Sequence, residues 1–182
     1  ALARSLCGAT GNPLTGAGNV GICNSTNISY YTNNQNLLSQ GIELQFHHDI
    51  NSQWATDANY AFTSTQLTMS ATSDPTGKQV GGVLQNILGG GLTYYPIPNA
   101  SVTANVRYVG SSWLNTSNTL PVASYTIFGL RANYEASKNT TIYASAINLL
   151  NRKYNTFGTG GSNTNYTLGS PQVITVGAKV VF

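Results

Sequence analysis

The sequence predicts an all-β protein, a transmembrane antiparallel β-barrel, and three observations lead to this fold class. Residues 171–182 (PQVITVGAKVVF) alternate apolar and polar side chains, as a membrane strand of about 9 to 11 residues requires. Only 7% of the residues are charged, whereas soluble domains average about 25%. No apolar run reaches the roughly 18 residues that a membrane helix needs, so strands must do the crossing.

Period-two alternation predicts seven strands along the chain. They cover residues 37–50, 53–68, 86–97, 100–112, 122–135, 140–150 and 172–182. Short turns at 51–52, 98–99 and 137–139 alternate with longer loops at 69–85, 113–121 and 151–171. Outer-membrane barrels combine short periplasmic turns with long outer loops. We therefore expect residues 1–36 to form an extracellular loop region and 37–182 to form the transmembrane strands.

The charged residues test these predicted strand faces. In the first strand Ile42 and Leu44 share one side, and Glu43 takes the other. The same separation holds for seven strand charges: Glu43, Asp49, Asp57, Arg107, Arg131, Glu135 and Lys179. A charge that faces lipid at mid-depth costs about 2 to 4 kcal/mol, so these residues should face the lumen. The sequence thus predicts a polar interior that holds water or a plug.

Cys7 and Cys23 bracket a Gly-, Asn- and Pro-containing segment that has no strand pattern. In an oxidising compartment a disulfide would close this loop and stabilise the fold by roughly 3 kcal/mol in the chain-entropy model. Two unpaired thiols are the alternative. Neither cysteine has a histidine near it in sequence, which argues against a metal site.

Aromatic residues occur in two settings. Those near strand ends are typical of the aromatic girdles at membrane surfaces. Tyr30, Tyr31, Phe157 and Tyr166 instead lie in long Asn- and Thr-rich segments. They could stack on a ligand that arrives from outside, or pack against one another within folded loops.

Two internal segments and the last strand carry a family resemblance. Residues 39–66 (SQGIELQFHHDINSQWATDANYAFTSTQ) resemble a hairpin of TonB-dependent outer-membrane receptors, in which a Gly-hydrophobic-Glu strand (here Gly41 to Glu43) precedes a short turn. Residues 143–154 (YASAINLLNRKY) resemble the penultimate strand of that family, with Asn148 and Tyr154 among the matches. The terminal strand, with Val176, Val180 and Phe182, looks like the signal that the barrel assembly machinery reads.

The resemblance implies a 22-stranded barrel around an N-terminal plug, of which this chain would supply the last seven strands. The plug domain is absent from this chain, so we expect a partial sequence or a second chain with the remaining strands. The implied function is uptake of a scarce nutrient such as a ferric siderophore across the bacterial outer membrane. The implied partners are outer-membrane lipid and lipopolysaccharide, the missing strands and plug, the TonB complex through that plug, and the barrel assembly machinery.

Other function classes have less support in the sequence. A self-contained eight-stranded barrel with a structural or adhesion role would need an extra strand within residues 1–36, where only 27–32 (NISYYT) is a candidate. An enzyme would need a nucleophile and a base, but His47 and His48 are the only histidines and no Ser-centred elbow accompanies them. The net charge of +3 is small and scattered, which argues against nucleic acid. No cofactor and no catalytic or metal site is predicted.

Overall fold

The computed structural model describes residues 35–70, 76–159 and 165–181, and all regular elements in this part of the chain are β-strands. In chain order they are β1 (Gln35–Asn51), β2 (Trp54–Ser70), β3 (Asn86–Ile97), β4 (Ala100–Val109), β5 (Ser112–Trp113), β6 (Pro121–Val122), β7 (Tyr125–Ser137), β8 (Thr140–Ile147), β9 (Asn155–Thr159), β10 (Asn165–Leu168) and β11 (Val173–Val180). None of the described residues belongs to a helix that could cross a membrane.

Seven strands form one antiparallel sheet in the order β1-β2-β3-β4-β7-β8-β11. The predicted meander of seven antiparallel strands is therefore confirmed. Two small hairpins, β5 with β6 and β9 with β10, lie within the long connections. Among the described strands, β1 and β11 pair on one side only, so the sheet has two edges.

Three short turns lie together at one end of the sheet. In the first of them, Asn51 Oδ1 accepts hydrogen bonds from the backbone N–H groups of Gln53 (2.8 Å) and Trp54 (3.0 Å). This Asx-type bonding is a common way for asparagine to stabilise a tight turn. The next two turns are joined, because Asn99 O accepts from Glu135 N (2.8 Å) and Asn99 Nδ2 donates to Glu135 O (3.1 Å).

Two predicted strands are shorter in the structure. The strand predicted over 100–112 ends at Val109, where Gly110 N donates to Asn86 O (2.8 Å) and the chain leaves the sheet. The strand predicted over 122–135 begins only at Tyr125, because Pro121–Val122 pairs instead with Ser112–Trp113.

The strand predicted over 140–150 also ends early, at Ile147. Asn148 has a φ of 51° and Asn151 a φ of 49°, a left-handed conformation that asparagine tolerates and a strand does not contain. The apolar pair Leu149 and Leu150 resembles a continuing strand in sequence, although both residues lie in the loop. The following loop also contains the β9–β10 hairpin, which the sequence did not predict.

The edge strands expose apolar side chains, and the best-buried side chains lie at one end of the sheet. Ile42 and Ile174 in the edge strands are 60% and 69% exposed. Leu67, Val109 and Val122 are almost completely buried, and all three lie at the end of the sheet that carries the long loops. The loops therefore contribute the compact packing of this part of the chain.

Candidate functional site

The strand register separates the sheet into two chemically different faces. Residues paired directly across antiparallel strands share a face, so the register assigns every side chain to one side. One row of pairs runs Leu44, Tyr60, Leu88, Tyr108 across four strands, and we call this side the apolar face. The neighbouring row runs Gln45, Asn59, Gly89, Arg107, and we call this side the polar face.

All seven charges named from the sequence lie on the polar face. The register assigns them to it through the pairs Glu43↔Ala61, Asp49↔Ala55, Asp57↔Gly91, Arg107↔Gly89, Arg131↔Ser145, Glu135↔Thr141 and Lys179↔Thr141. A cross-strand hydrogen bond between the hydroxyls of Thr93 and Thr103 (2.9 Å) adds to the polar character of this face. The distribution fits a wet interior opposite a lipid-facing surface.

The two histidines lie on opposite faces. His47 pairs with Asp57 on the polar face, and its Nε2 lies 3.5 Å from Asp49 Oδ1. His48 pairs with Thr56 on the apolar face. Within residues 35–70, 76–159 and 165–181, no group of three His, Cys, Asp or Glu side chains could hold a metal ion. Joint metal binding by the histidine pair is excluded by this geometry.

Polar side chains on this face lie over glycines of the adjacent strand. A Cβ built on Gly91 would lie 2.5 Å from Asp57 Oδ1, and Asn59 Oδ1 occupies the corresponding space at Gly89. Glycine inside a strand marks either a bend or the close approach of a neighbouring group. The Gly89-Gly90-Gly91 run marks a close approach, because side chains of the adjacent strand occupy the space above it.

A cavity of about 340 Å³ opens on the polar face between Arg107 and Arg131. Gly129 lies between them and is buried, and a Cβ there would lie 2.5 Å from Asn105 Oδ1. Ser145 lines the far side, opposite Arg131 in the register. Both arginines are among the predicted lumen-facing charges, but nothing in the sequence indicates the cavity between them.

The long loops at the opposite end from the turns contact one another. Asn118, in the connection after β5, uses its amide like a strand backbone: Oδ1 accepts from Gln79 N (3.1 Å) and Nδ2 donates to Gln79 O (2.8 Å). Gln79 is 7% exposed, and its own Nε2 donates to Val83 O (2.9 Å). This pair joins two loops that are 39 residues apart in sequence, and sequence reasoning missed it.

Asn148 closes the last long loop. Its side chain is 1% exposed; Nδ2 donates to Arg152 O (2.8 Å) and Ser170 O (3.0 Å), and Oδ1 accepts from Arg152 N (2.9 Å). Tyr154 further along the loop lies against Gly169 and stacks on Tyr125 with ring centroids 4.2 Å apart. In the segment 143–154, which resembles the penultimate strand of the family, Asn148 and Tyr154 therefore hold the last long loop closed.

Two of the four predicted ligand-contacting aromatics are described. Phe157 and Tyr166 are 55% and 42% exposed, and Tyr166 Oη donates to Pro121 O (3.3 Å). Tyr30 and Tyr31 lie outside the described residues. So do Cys7 and Cys23 of the predicted disulfide, and Phe182 of the predicted assembly signal. The other two residues of that signal, Val176 and Val180, lie on the apolar face.

Comparison with known proteins gives a family match and several fold matches. Residues 8–149 match the family model described as TonB dependent receptor-like, beta-barrel. A probable TonB-dependent siderophore receptor, PiuA of Acinetobacter baumannii, is 24% identical over 159 residues, which cover 82% of this chain and 21% of that protein. The chain therefore spans about a fifth of the length of this relative.

Solved structures share the fold. The crystal structure of PiuA superimposes with a TM-score of 0.66 at 22% identity over 79% of this chain and 22% of that one. The ferric yersiniabactin uptake receptor FyuA of Yersinia pestis gives a TM-score of 0.69 at 19% identity, over 82% of this chain and 24% of that one. The copper transporter OprC gives a TM-score of 0.68 at 19% identity, over 80% and 24%.

These matches confirm the resemblance seen in the sequence. Proteins of this family are receptors and transporters of the bacterial outer membrane and are not enzymes. The antiparallel sheet with its two faces is the wall of such a barrel. The chain belongs to the family of TonB-dependent receptor β-barrels.

Proposed function

We propose that this chain forms seven consecutive barrel strands of a TonB-dependent receptor whose cargo is a ferric siderophore. The observation that carries the proposal is the separation of faces, since all seven strand charges share one face of a sheet that belongs to this family. PiuA is described as a probable siderophore receptor, and FyuA as a ferric yersiniabactin uptake receptor. In this proposal the polar face is the lumen wall and the apolar face contacts lipid and lipopolysaccharide.

The proposal also covers the rest of the receptor and further residues of this chain. A plug and the remaining strands, from the same or another chain, would complete the barrel, and the plug would contact the TonB complex. Cys7 and Cys23 would form a disulfide in an outer loop, within an extracellular region over residues 1–36. Val176, Val180 and Phe182 would present the strand that the barrel assembly machinery reads. Tyr30, Tyr31, Phe157 and Tyr166 would contact cargo at the outer surface.

Copper is the competing cargo, because the copper transporter OprC shares the fold. Copper(I) prefers soft thioether and thiolate ligands and copper(II) prefers imidazole. The whole chain has one methionine, two histidines and two cysteines. Neither cysteine belongs to the described strands, and His47 is the single histidine on the polar face of those strands. The ligand chemistry of this part of the wall therefore favours a ferric complex over copper.

Uptake by the intact receptor tests the proposal. The full-length gene is deleted in its own bacterium, and uptake of radioactive iron is measured with a panel of ferric siderophores in iron-depleted medium. We expect loss of uptake for one class of siderophore, restored by the wild-type gene and abolished in a strain that lacks TonB. Unchanged uptake of every ferric complex, with reduced copper accumulation, would contradict the siderophore assignment.

A further inference from the structure

A groove runs along the apolar face over β7 and β8. Val102 and Val176 line a cavity of about 290 Å³ there, and Leu130 and Ile174 line a smaller one of about 130 Å³. Ala132 and Ala144 line both cavities, so the two form one continuous depression. The groove opens on the surface that we assign to lipid.

The strand register explains why the groove forms. Across β4, β7, β8 and β11 one row of paired residues on the apolar face reads Val102, Ala132, Ala144, Val176. The alanine methyl groups form a low floor between the two valines. In the next row toward the loops, Ala146 lies between Leu130 and Ile174 and continues this floor.

The groove is elongated and apolar. From Ile142 to Ala146 it follows β8 for roughly 13 Å, at about 3.3 Å per residue. Asn133 and Ser145 also border the two cavities, but the register assigns their side chains to the polar face. An apolar depression of this shape suits an extended hydrocarbon chain.

The end of the groove nearest the turns lies at the level expected for the membrane surface. Ile142 is two residues, roughly 7 Å, from Thr140, the first residue of β8 after the turn. The headgroup region adds about 5 to 7 Å on each side of the hydrocarbon core. Tyr134 pairs with Ile142 and is 44% exposed, and amphipathic rings are typical of this level. The turn between β7 and β8 therefore lies among the headgroups.

Lys138 gives this turn a positive charge. It is exposed, and it is the single charged residue of the three short turns, which cover 51–53, 98–99 and 137–139. In the described part of the chain the one ion pair joins His47 and Asp49, so Lys138 has no carboxylate partner there. A lysine ammonium is a compact charge that binds phosphate well.

We propose that this groove binds one anionic phospholipid of the periplasmic leaflet, with an acyl chain along Ala132 and Ala144 and the headgroup at Lys138. The apolar groove supplies contact for the chain, and the ammonium supplies the preference for an anionic headgroup. This inference rests on the proposed assignment of the apolar face to lipid and adds a specific site to that face.

The test measures lipid preference at the groove in the full-length receptor, reconstituted in vesicles of phosphatidylcholine and phosphatidylglycerol. A bimane fluorophore is attached at Ala178→Cys, because Ala178 pairs with Ile142 at the turn end of the groove. Thr56→Cys is the matched control, since Thr56 lies on the same face and equally far from a turn, in β2. The parent receptor is the blank.

Bromine on the acyl chains of one lipid or the other quenches the fluorophore, and comparison of the two gives the relative binding constant. We expect phosphatidylglycerol to be favoured about fivefold at position 178, the usual effect of one lysine at an anionic surface, and no preference at position 56. Equal binding of the two lipids at position 178 would overturn the proposal.

Two substitutions identify the source of the preference. Lys138→Gln should abolish it, whereas Lys179→Gln removes a cation at the same end of the sheet but on the polar face and should leave it unchanged. Ala144→Phe fills the floor of the groove and should abolish the preference as well. Ala58→Phe, on the same face and equally far from a turn, should have no effect. A preference that survives either Lys138→Gln or Ala144→Phe would overturn the proposal.

The control reporter separates failure of the site from failure of the proposed function. Quenching at position 56 without quenching at position 178 would show that protein covers the groove, and would overturn the site alone. Absence of quenching at both positions would contradict the assignment of the apolar face to lipid.

Discussion

At the scale of single residues, asparagine amides form many of the side-chain hydrogen bonds at the loop end of the sheet. Asn118 and Asn148 each adopt a positive φ, 56° and 51°, and each forms hydrogen bonds with backbone groups of the long loops. Asparagine combines tolerance of this conformation with an amide that both donates and accepts. Some of the many asparagines therefore stabilise specific loop conformations in addition to making the loops polar.

We expect Asn148→Ala to destabilise the loop that joins β8 to β11. The substitution removes three hydrogen bonds from a side chain that is 1% exposed, and leaving their partners unsatisfied should cost about 1 to 3 kcal/mol. Asn148→Asp keeps the acceptor for Arg152 N but places a buried carboxylate oxygen against the carbonyls of Arg152 and Ser170, so it should destabilise the loop at least as much. Limited proteolysis of the loop in the full-length receptor measures both. Asn139→Ala, at an exposed turn, is the control, and equal cleavage of all three variants would refute the role of Asn148.

At the scale of elements, the long connections form one packed layer. Besides the Asn118–Gln79 pair, Tyr166 in β10 donates to Pro121 in β6, and Gly82 N donates to Trp113 O (2.7 Å). Contacts between three different loops hold their bases in place.

The side-chain amide of Asn118 should control the rate of hydrogen exchange at the backbone N–H of Gln79. In Asn118→Ala the Gln79 N–H loses its acceptor, so its hydrogen exchange should accelerate by roughly tenfold, the effect of about 1.4 kcal/mol. Hydrogen exchange with mass spectrometry of the reconstituted receptor reports on peptides over 76–85. Ser117→Ala, one residue away, should leave that exchange as in the wild type. Unaltered exchange in the Asn118 variant would mean that the loop is held by other contacts.

The two faces of the sheet should differ sharply in their tolerance of charge. Leu44→Lys places an ammonium on the apolar face, where it should cost about 2 to 4 kcal/mol near mid-depth, whereas Gln45→Lys places it on the polar face beside Asn59. Folded receptor in outer membranes, measured by resistance to SDS without heating, should fall for the first variant and stay normal for the second. Equal yields would contradict the assignment of the apolar face to lipid.

At the scale of the whole molecule, the described sheet has unpaired edges at β1 and β11. In hydrocarbon each unpaired backbone group costs several kcal/mol, so a seven-stranded sheet requires further strands at both edges to span a membrane. The 159 aligned residues are 21% of PiuA, so that protein is about four times as long as this chain, which is consistent with such strands.

Residues 35–182 produced alone should therefore not yield a stable monomeric barrel. We expect this fragment, refolded in detergent, to lack the SDS-resistant form that migrates differently before and after boiling. The full-length receptor treated in the same way should show that form. A monomeric, heat-modifiable fragment would demonstrate that the seven strands close on themselves.

The sequence predicts the main sheet well because the pattern that specifies each strand lies within the strand itself. Alternation in β1 or β4 is visible within ten residues, and it specifies both the strand and its faces. The β9–β10 hairpin was missed because its strands are short and carry no clear alternation. The Asn118–Gln79 pair and the cavity at Gly129 depend on which distant segments become neighbours, and a single sequence does not encode that in a local pattern.

The strict separation of faces has a genetic consequence. Because side chains alternate with a period of two, loss of one codon within Ala100–Val109 would reverse the side taken by every later residue of that strand. Arg107 would then turn toward the acyl chains and its apolar neighbours toward water. The reading frame of the gene would be intact, yet the shift would exchange the two surfaces of the strand at once. Selection should therefore remove single-codon deletions from the strands and tolerate them in the long connections, where side chains do not have to alternate between two faces.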